Sequence, residues 1–229
     1  MKNIKKFLII SIIFFVIGVV GLIADCLIFN GFYQRIGYGT SRGYIFEPED
    51  MMNMMRGNWF KEPDLKSYTF DEVKKASEKY LSDSGLKDIK IKEIMEFSNN
   101  FYIETVEEST GVGAIELLLD KGDGSIFPEF GPNMMWNLKY GMHGRLNLDK
   151  SKLNMKISEE EAINIANNYL TKISQNEVAD NEAQEFYGYY TIDTVNKDGT
   201  GVGMLSVNGF NGQVWYHKWH GTFIEKREY

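Results

Sequence analysis

The imidazoles of this chain number only three, and all of them fall in two short aromatic segments. His143 lies near the end of Gly131-Pro-Asn-Met-Met-Trp-Asn-Leu-Lys-Tyr-Gly-Met-His-Gly144, and His217 and His220 stand in Trp215-Tyr-His-Lys-Trp-His-Gly221. The first segment also carries Met134, Met135 and Met142. Thioether is a soft donor and imidazole a borderline one. A site drawing on His143, His217, His220, Met134, Met135 and Met142 would therefore suit a copper-type soft metal ion. Such a site needs the two segments to meet in space. It also needs a bend between His217 and His220, because residues three apart on a strand point to opposite faces. The alternative is packing, with Trp136, Trp215 and Trp219 joining two parts of the fold and the histidines serving as polar tips among them.

Other groupings carry less chemistry. Met51, Met52, Met54 and Met55 form a second thioether cluster that suits either a soft metal or apolar packing. Gly39-Thr-Ser-Arg-Gly43 matches the nucleophile elbow in letters, but it sits in a Gly/Tyr-rich stretch without the strand and helix that would expose Ser41. Asp120-Lys-Gly-Asp-Gly124 begins like a calcium loop, yet the bidentate glutamate such a loop requires is replaced by Gly131, so a hairpin turn fits better. Glu107 and Glu108 fall in a turn and are expected to face solvent. Neither H-E-x-x-H nor a phosphate-binding P-loop occurs. No catalytic residue is assigned, no enzyme is expected, and no cofactor is expected beyond the soft metal.

The elements that must position these residues come in two copies. Thr69-Phe-Asp-Glu72 is a capping box opening a helix with Val73, Ala76, Tyr80 and Leu81 as its stripe, ended by Gly85. Ile89, Ile91, Ile94 and Phe97 lead into strands: Phe101 to Val106 with period-two alternation, Val112 to Leu119, and Ser125 to Pro128. Ser158-Glu-Glu-Glu161 opens a second helix with Ala162, Ile165, Ala166, Tyr169 and Leu170. Phe186-x3-Tyr-x-Ile-Asp-Thr-Val then repeats Phe97-x3-Phe-x-Ile-Glu-Thr-Val at the same offset as the caps. Thr200-Gly-Val-Gly203 repeats Thr110-Gly-Val-Gly113. The glycine pairs let the backbone bend or approach a neighbour closely. The fold class is α+β, each unit a helix packed on an antiparallel β-sheet, with residues 67–145 as the first unit and 155–229 as the second.

Residues 7–29 read as a transmembrane helix. Phe7 to Ala24 is free of charge and spans about 27 Å as a helix, close to the hydrocarbon thickness of a bilayer. Lys2, Lys5 and Lys6 make residues 1–6 a cytoplasmic stub by the positive-inside rule, which puts the bulk of the chain outside the cell membrane, single-pass. Two rival readings are a cleaved signal peptide and a lipoprotein signal at Cys26. The run is long for the first, and Asp25 is not the small residue the second requires. Residues 30–66 form a juxtamembrane linker containing the Met cluster. With 25 basic and 32 acidic residues, a net charge of −7, the chain lacks the cationic excess that nucleic acid binding requires.

The capped helix, the hairpins with their T-G-x-G turn and the closing Asp123-Gly-Ser-Ile126 resemble the PepSY domain family, a family that includes peptidase propeptides and a spore-germination protein. The resemblance covers roughly 68–128 and 157–217. It implies tandem extracytoplasmic modules in a bacterial envelope that bind or restrain a peptidase or another envelope protein, and it supplies no catalytic residue. The expected function is therefore non-enzymatic binding or regulation at the bacterial membrane, with envelope soft-metal binding as the alternative.

Overall fold

The computed structural model describes residues 67–149, 153–174 and 176–229, all within one compact unit. The stub, the apolar run 7–29 and the linker with its Met cluster and Ser41 lie outside the described residues. Among those described, no helix is long and apolar enough to cross a membrane.

Helix α1 spans Phe70–Asp83 and starts where the capping box dictates. The Thr69 hydroxyl accepts from the Glu72 amide at 3.3 Å, and the Glu72 carboxylate accepts from the Thr69 amide at 2.8 Å. The helix ends in a Schellman turn. Gly85, at φ +74°, donates to Ser82, and Leu86 donates to Leu81. The buried face is Phe70, Val73, Ser77 and Leu81, so Ser77 takes the central position that the sequence assigns to Ala76 and Tyr80. Its hydroxyl tolerates burial by donating to the Val73 carbonyl at 2.8 Å. Four strands follow: β1 (Ile89–Phe97), β2 (Asn100–Glu107), β3 (Gly113–Asp120) and β4 (Ile126–Pro128). A short helix α2 (Pro132–Met135) then begins the Met/Trp loop.

The second half opens with α3 (Glu159–Ile173), capped by Ser158 and Glu161 in the same reciprocal way. It continues through β5 (Glu177–Ala179), β6 (Gln184–Glu185), β7 (Tyr189–Asn196), β8 (Gly201–Asn208) and β9 (Val214–Tyr216). The chain closes with β10 (Phe223–Glu228), which leaves its own half. The first sheet runs β10-β1-β2-β3-β4 and the second β5-β7-β8-β9, with β6 also on β7 and every named strand pair antiparallel. The protein is thus α+β, with antiparallel sheets and few helices.

The sheets bury both faces. Ala162, Ala166 and Leu170 of α3 pack on Tyr190, Ile192, Leu205 and Val207 of β7 and β8. On the first sheet, Phe70 of α1 meets Phe101 edge-to-face at 5.7 Å. The remaining faces meet each other, Met204 of β8 packing with Met95, Phe97, Tyr102 and Leu118. The layers therefore run helix, sheet, sheet, helix. This explains why β2 and β3 are buried almost throughout although they contain Glu104, Glu107 and Glu116. Alternation on these strands separates a helix-facing set from a set facing the other sheet, not a dry set from a wet one.

One expectation is corrected here. Glu107 does not face solvent; it is 2% exposed. Its carboxylate accepts from Tyr140 Oη at 2.6 Å, Tyr187 Oη at 2.8 Å and Thr110 Oγ1 at 2.8 Å, and pairs with Lys139. Because the Met/Trp loop folds back over the turn, Glu107 becomes a junction between the loop and the second half.

Candidate functional site

Two chain segments converge between the sheets. Glu129 follows β4, its amide bonded to the Glu116 carbonyl at 2.7 Å, while Asn133 Nδ2 donates to its carbonyl at 3.0 Å. His217 follows β9, its amide bonded to Met204 of β8. The chain then turns through Lys218 and Trp219 to His220, which supplies the bend that strand geometry demands. The turn is held on the β1–β2 connection. Asn99 Nδ2 donates to the Trp219 carbonyl at 3.1 Å, the Asn99 amide to the His220 carbonyl at 3.2 Å, and the Thr222 amide to Ser98 Oγ at 3.0 Å.

The result is a buried triad. Glu129 Oε1 lies 3.0 Å from His220 Nε2 and 3.4 Å from His217 Nδ1, with all three side chains at most 1% exposed. One donor atom from each lies within 4.8 Å of the others. The same Oε1 accepts the Trp219 indole N–H at 3.0 Å. The rings are packed by aromatic neighbours: His220 stacks on Phe97 at 4.5 Å and His217 on Trp219 at 4.7 Å. Glu129 Oε2, His217 Nδ1 and His220 Nε2 have no well-directed hydrogen bond to any described residue.

A hydrogen-bonded chain leads away from the far side of the triad. His217 Nε2 is 3.0 Å from Ser206 Oγ, which is 3.2 Å from Thr191 Oγ1, which donates to Glu116 Oε1 at 2.8 Å. Tyr102 and Tyr189 also donate to Glu116, at 2.8 and 2.6 Å. His220 Nδ1 meets the Asn100 side-chain oxygen at 2.9 Å. Burial opposes ionisation throughout, and the charges decide the outcome group by group. At Glu129 burial is outweighed by His217 and then His220, which hold the carboxyl at about 2. Burial and then the Glu129 charge push Glu116 up to about 7. At His217 burial is outweighed by Glu129 and the pKa rises, whereas at His220 burial prevails and the pKa falls.

Of the residues singled out for soft-metal chemistry, the structure brings His217 and His220 together. Met134 is buried in the adjoining core with Phe130, Tyr102 and Met204, against Trp219. His143, Met135 and Met142 are exposed on the Met/Trp loop and do not join the triad. The tryptophans do link the halves: Trp136 lies 6.0 Å from Trp215 and 6.4 Å from Tyr189, and Trp219 lies 4.4 Å from Phe130. Sequence reasoning missed Glu129 and Glu116. Glu116 did leave a signal, a single carboxylate inside the apolar run Val112 to Leu119. Glu129, between a proline and a phenylalanine after a short strand, left none.

No protein-family model matches the chain. No curated protein sequence matches it either. Among solved structures it is similar to the Bacillus megaterium YpeB C-terminal domain, at 15% sequence identity over 69% of each chain and a TM-score of 0.34. A likeness of that size assigns neither activity nor site residues to this chain.

Proposed function

We propose that this chain is a non-catalytic binding or regulatory module, tethered outside a bacterial membrane by residues 7–29, that engages a peptidase or another envelope protein. The observation that supports the non-catalytic part is the closure of the one Ser–His–carboxylate series described above. Ser206, His217 and Glu129 stand in series, but Ser206 is 0% exposed and has no approach for a substrate. A nucleophile must reach the reacting atom. An open concavity among the described residues lies elsewhere and has a different character. It is a groove of about 520 Å³ between α1 and the start of β1, lined by Lys74, Glu78, Lys87, Ile89, Lys90 and Tyr229 among others, with neither histidine nor cysteine. Mixed charge around an apolar floor suits a protein segment better than a reacting small molecule.

A photo-crosslinking amino acid placed at Lys87 or Lys90 in the full-length, membrane-inserted chain tests this. The expected outcome is a discrete protein adduct at the groove that is absent when the crosslinker is placed at exposed Asn211 and is lost on Tyr229→Ala. Hydrolysis of ester or peptide substrates by the purified chain, abolished by Ser206→Ala, would overturn the reading, as would adducts at all positions alike.

A further inference from the structure

The buried triad has an electrostatic peculiarity that packing alone does not explain. Thr191 Oγ1 donates to Glu116, and Ser206 Oγ bridges Thr191 Oγ1 and His217 Nε2. His217 Nε2 is thus engaged, which leaves Nδ1 as the ring atom that faces Glu129. The Asn100 side-chain amide engages His220 Nδ1 at 2.9 Å, which leaves Nε2 as the ring atom that faces Glu129. Both nitrogens turn toward the Glu129 carboxylate, in a place none of the three side chains shares with water. Two imidazole nitrogens and a carboxylate oxygen facing one another in a dry interior make a donor set that suits a metal cation.

A metal ion needs its donors to aim at a shared centre. With bonds of about 2.0–2.1 Å, tetrahedral geometry separates neighbouring donor atoms by about 3.3 Å. The carboxylate oxygen stands 3.0 and 3.4 Å from the two nitrogens. The outer nitrogen of each ring is already engaged by Asn100 or Ser206, the arrangement that orients metal-ligating histidines.

We propose that Glu129, His217 and His220 form a structural site for a borderline divalent transition metal of the zinc class. Two imidazoles and a carboxylate favour such an ion over a soft monovalent one. The ligands come from both halves, so the ion pins the turn after β9 to the end of β4. Burial makes the site a fastening rather than a reaction centre. The proposal stands independently of the regulatory reading, since a partner-binding module and a chain with no partner could both be pinned in this way.

The test uses the full-length chain purified in detergent, stripped with chelator, then supplied with Zn(II) either while folded or during refolding from urea, and dialysed. Metal analysis is expected to find about one zinc per chain in at least one of the two conditions. Chelator should lower Tm by about 5–10 °C. Cobalt(II) loaded into the unaltered chain should show visible ligand-field bands that Glu129→Gln removes. Glu129→Gln and His220→Gln should retain less than about a tenth of the zinc, whereas His143→Ala and the pair Met135→Leu, Met142→Leu should retain all of it. Folding of each variant is checked by near-ultraviolet dichroism. If a triad variant fails to fold, the cobalt spectrum and zinc stoichiometry of the unaltered chain decide. A folded chain holding under a tenth of an equivalent by both loading routes, or zinc that survives Glu129→Gln or is lost with His143→Ala, overturns the proposal.

Discussion

Gly113→Ala isolates the close approach of the two halves in a single methyl group. A Cβ at Gly113 would stand 2.5–2.6 Å from three ring carbons of Phe186. Comfortable carbon contact needs about 3.5 Å or more, so the ring would have to retreat by about 1 Å. It has little room: Phe186 is fully buried and stacks on Tyr189 at 4.8 Å with an interplanar angle of 10°. Its backbone is also bonded to Tyr189 and bridged to Gly113 itself. Overpacking at such a place costs about 2–3 kcal/mol. Urea unfolding of the detergent-purified chain, followed by tryptophan fluorescence, measures it, since Trp136, Trp215 and Trp219 all report on the junction of the halves. Phe186→Leu alone should destabilise, but in the Gly113→Ala background it should recover part of the loss, a coupling of at least about 1 kcal/mol. Gly203 is the control. It holds the matching place in the second T-G-V-G, yet a Cβ there would come no nearer than 3.3 Å to the Tyr216 hydroxyl and 3.7 Å to Thr194 Oγ1, both side-chain ends. Gly203→Ala should therefore cost under about 1 kcal/mol. Equal costs at the two glycines, or strict additivity with Phe186→Leu, would refute the reasoning.

Three further outcomes are expected. Glu107→Ala leaves half-buried Lys139 and buried Tyr140 and Tyr187 around a missing charge and should cost about 3–5 kcal/mol, with Glu107→Gln costing less, both read from urea midpoints. Burial first, then neighbouring carboxylates, push Glu93 to about 7, while Lys92 only partly offsets the burial that pushes Glu104 to about 7. Folding therefore holds protons on these acids that the unfolded chain has already released above its ordinary value near 4.5. Stability should fall as pH climbs from about 5 to 8, by at most about 3 kcal/mol from Glu104, and Glu104→Gln should flatten the curve; a rise over that range contradicts the assignment. Thr69→Ala and Ser158→Ala each remove a hydroxyl cap and should lower stability by about 1 kcal/mol, nearly additively because the helices lie on opposite outer layers.

Local chemistry was the most legible part of the fold. Thr69 with Glu72 and Ser158 with Glu161 marked both helix starts because the capping interaction is complete within four residues. Gly85 marked a helix end for the same kind of reason. Ser77 was illegible because its partner, the Val73 carbonyl, is a backbone atom that a polarity pattern does not register. Glu104, Glu107 and Glu116 were illegible for a deeper reason. A strand facing another sheet buries whatever the opposing side chains can satisfy, and those hydroxyls and lysines lie far along the chain. The approach of His217 to His220 hinged on a turn held by Ser98 and Asn99, a contact that spacing within the segment does not encode.

Strand β10 carries a consequence for how the chain is made. It lines the first sheet on β1, from Glu93 opposite Glu228 to Phe97 opposite Phe223, yet it is synthesised after every other described strand. As the polypeptide emerges, the earlier half must wait with an open edge until residues 223–228 arrive, in a state prone to accept the same strand from a neighbouring copy. Cleavage anywhere in the connection after Tyr216 would therefore damage the half of the protein made first. The tail acts as a latch, and quality control that recognises naked sheet edges would act on any molecule in which it failed to close.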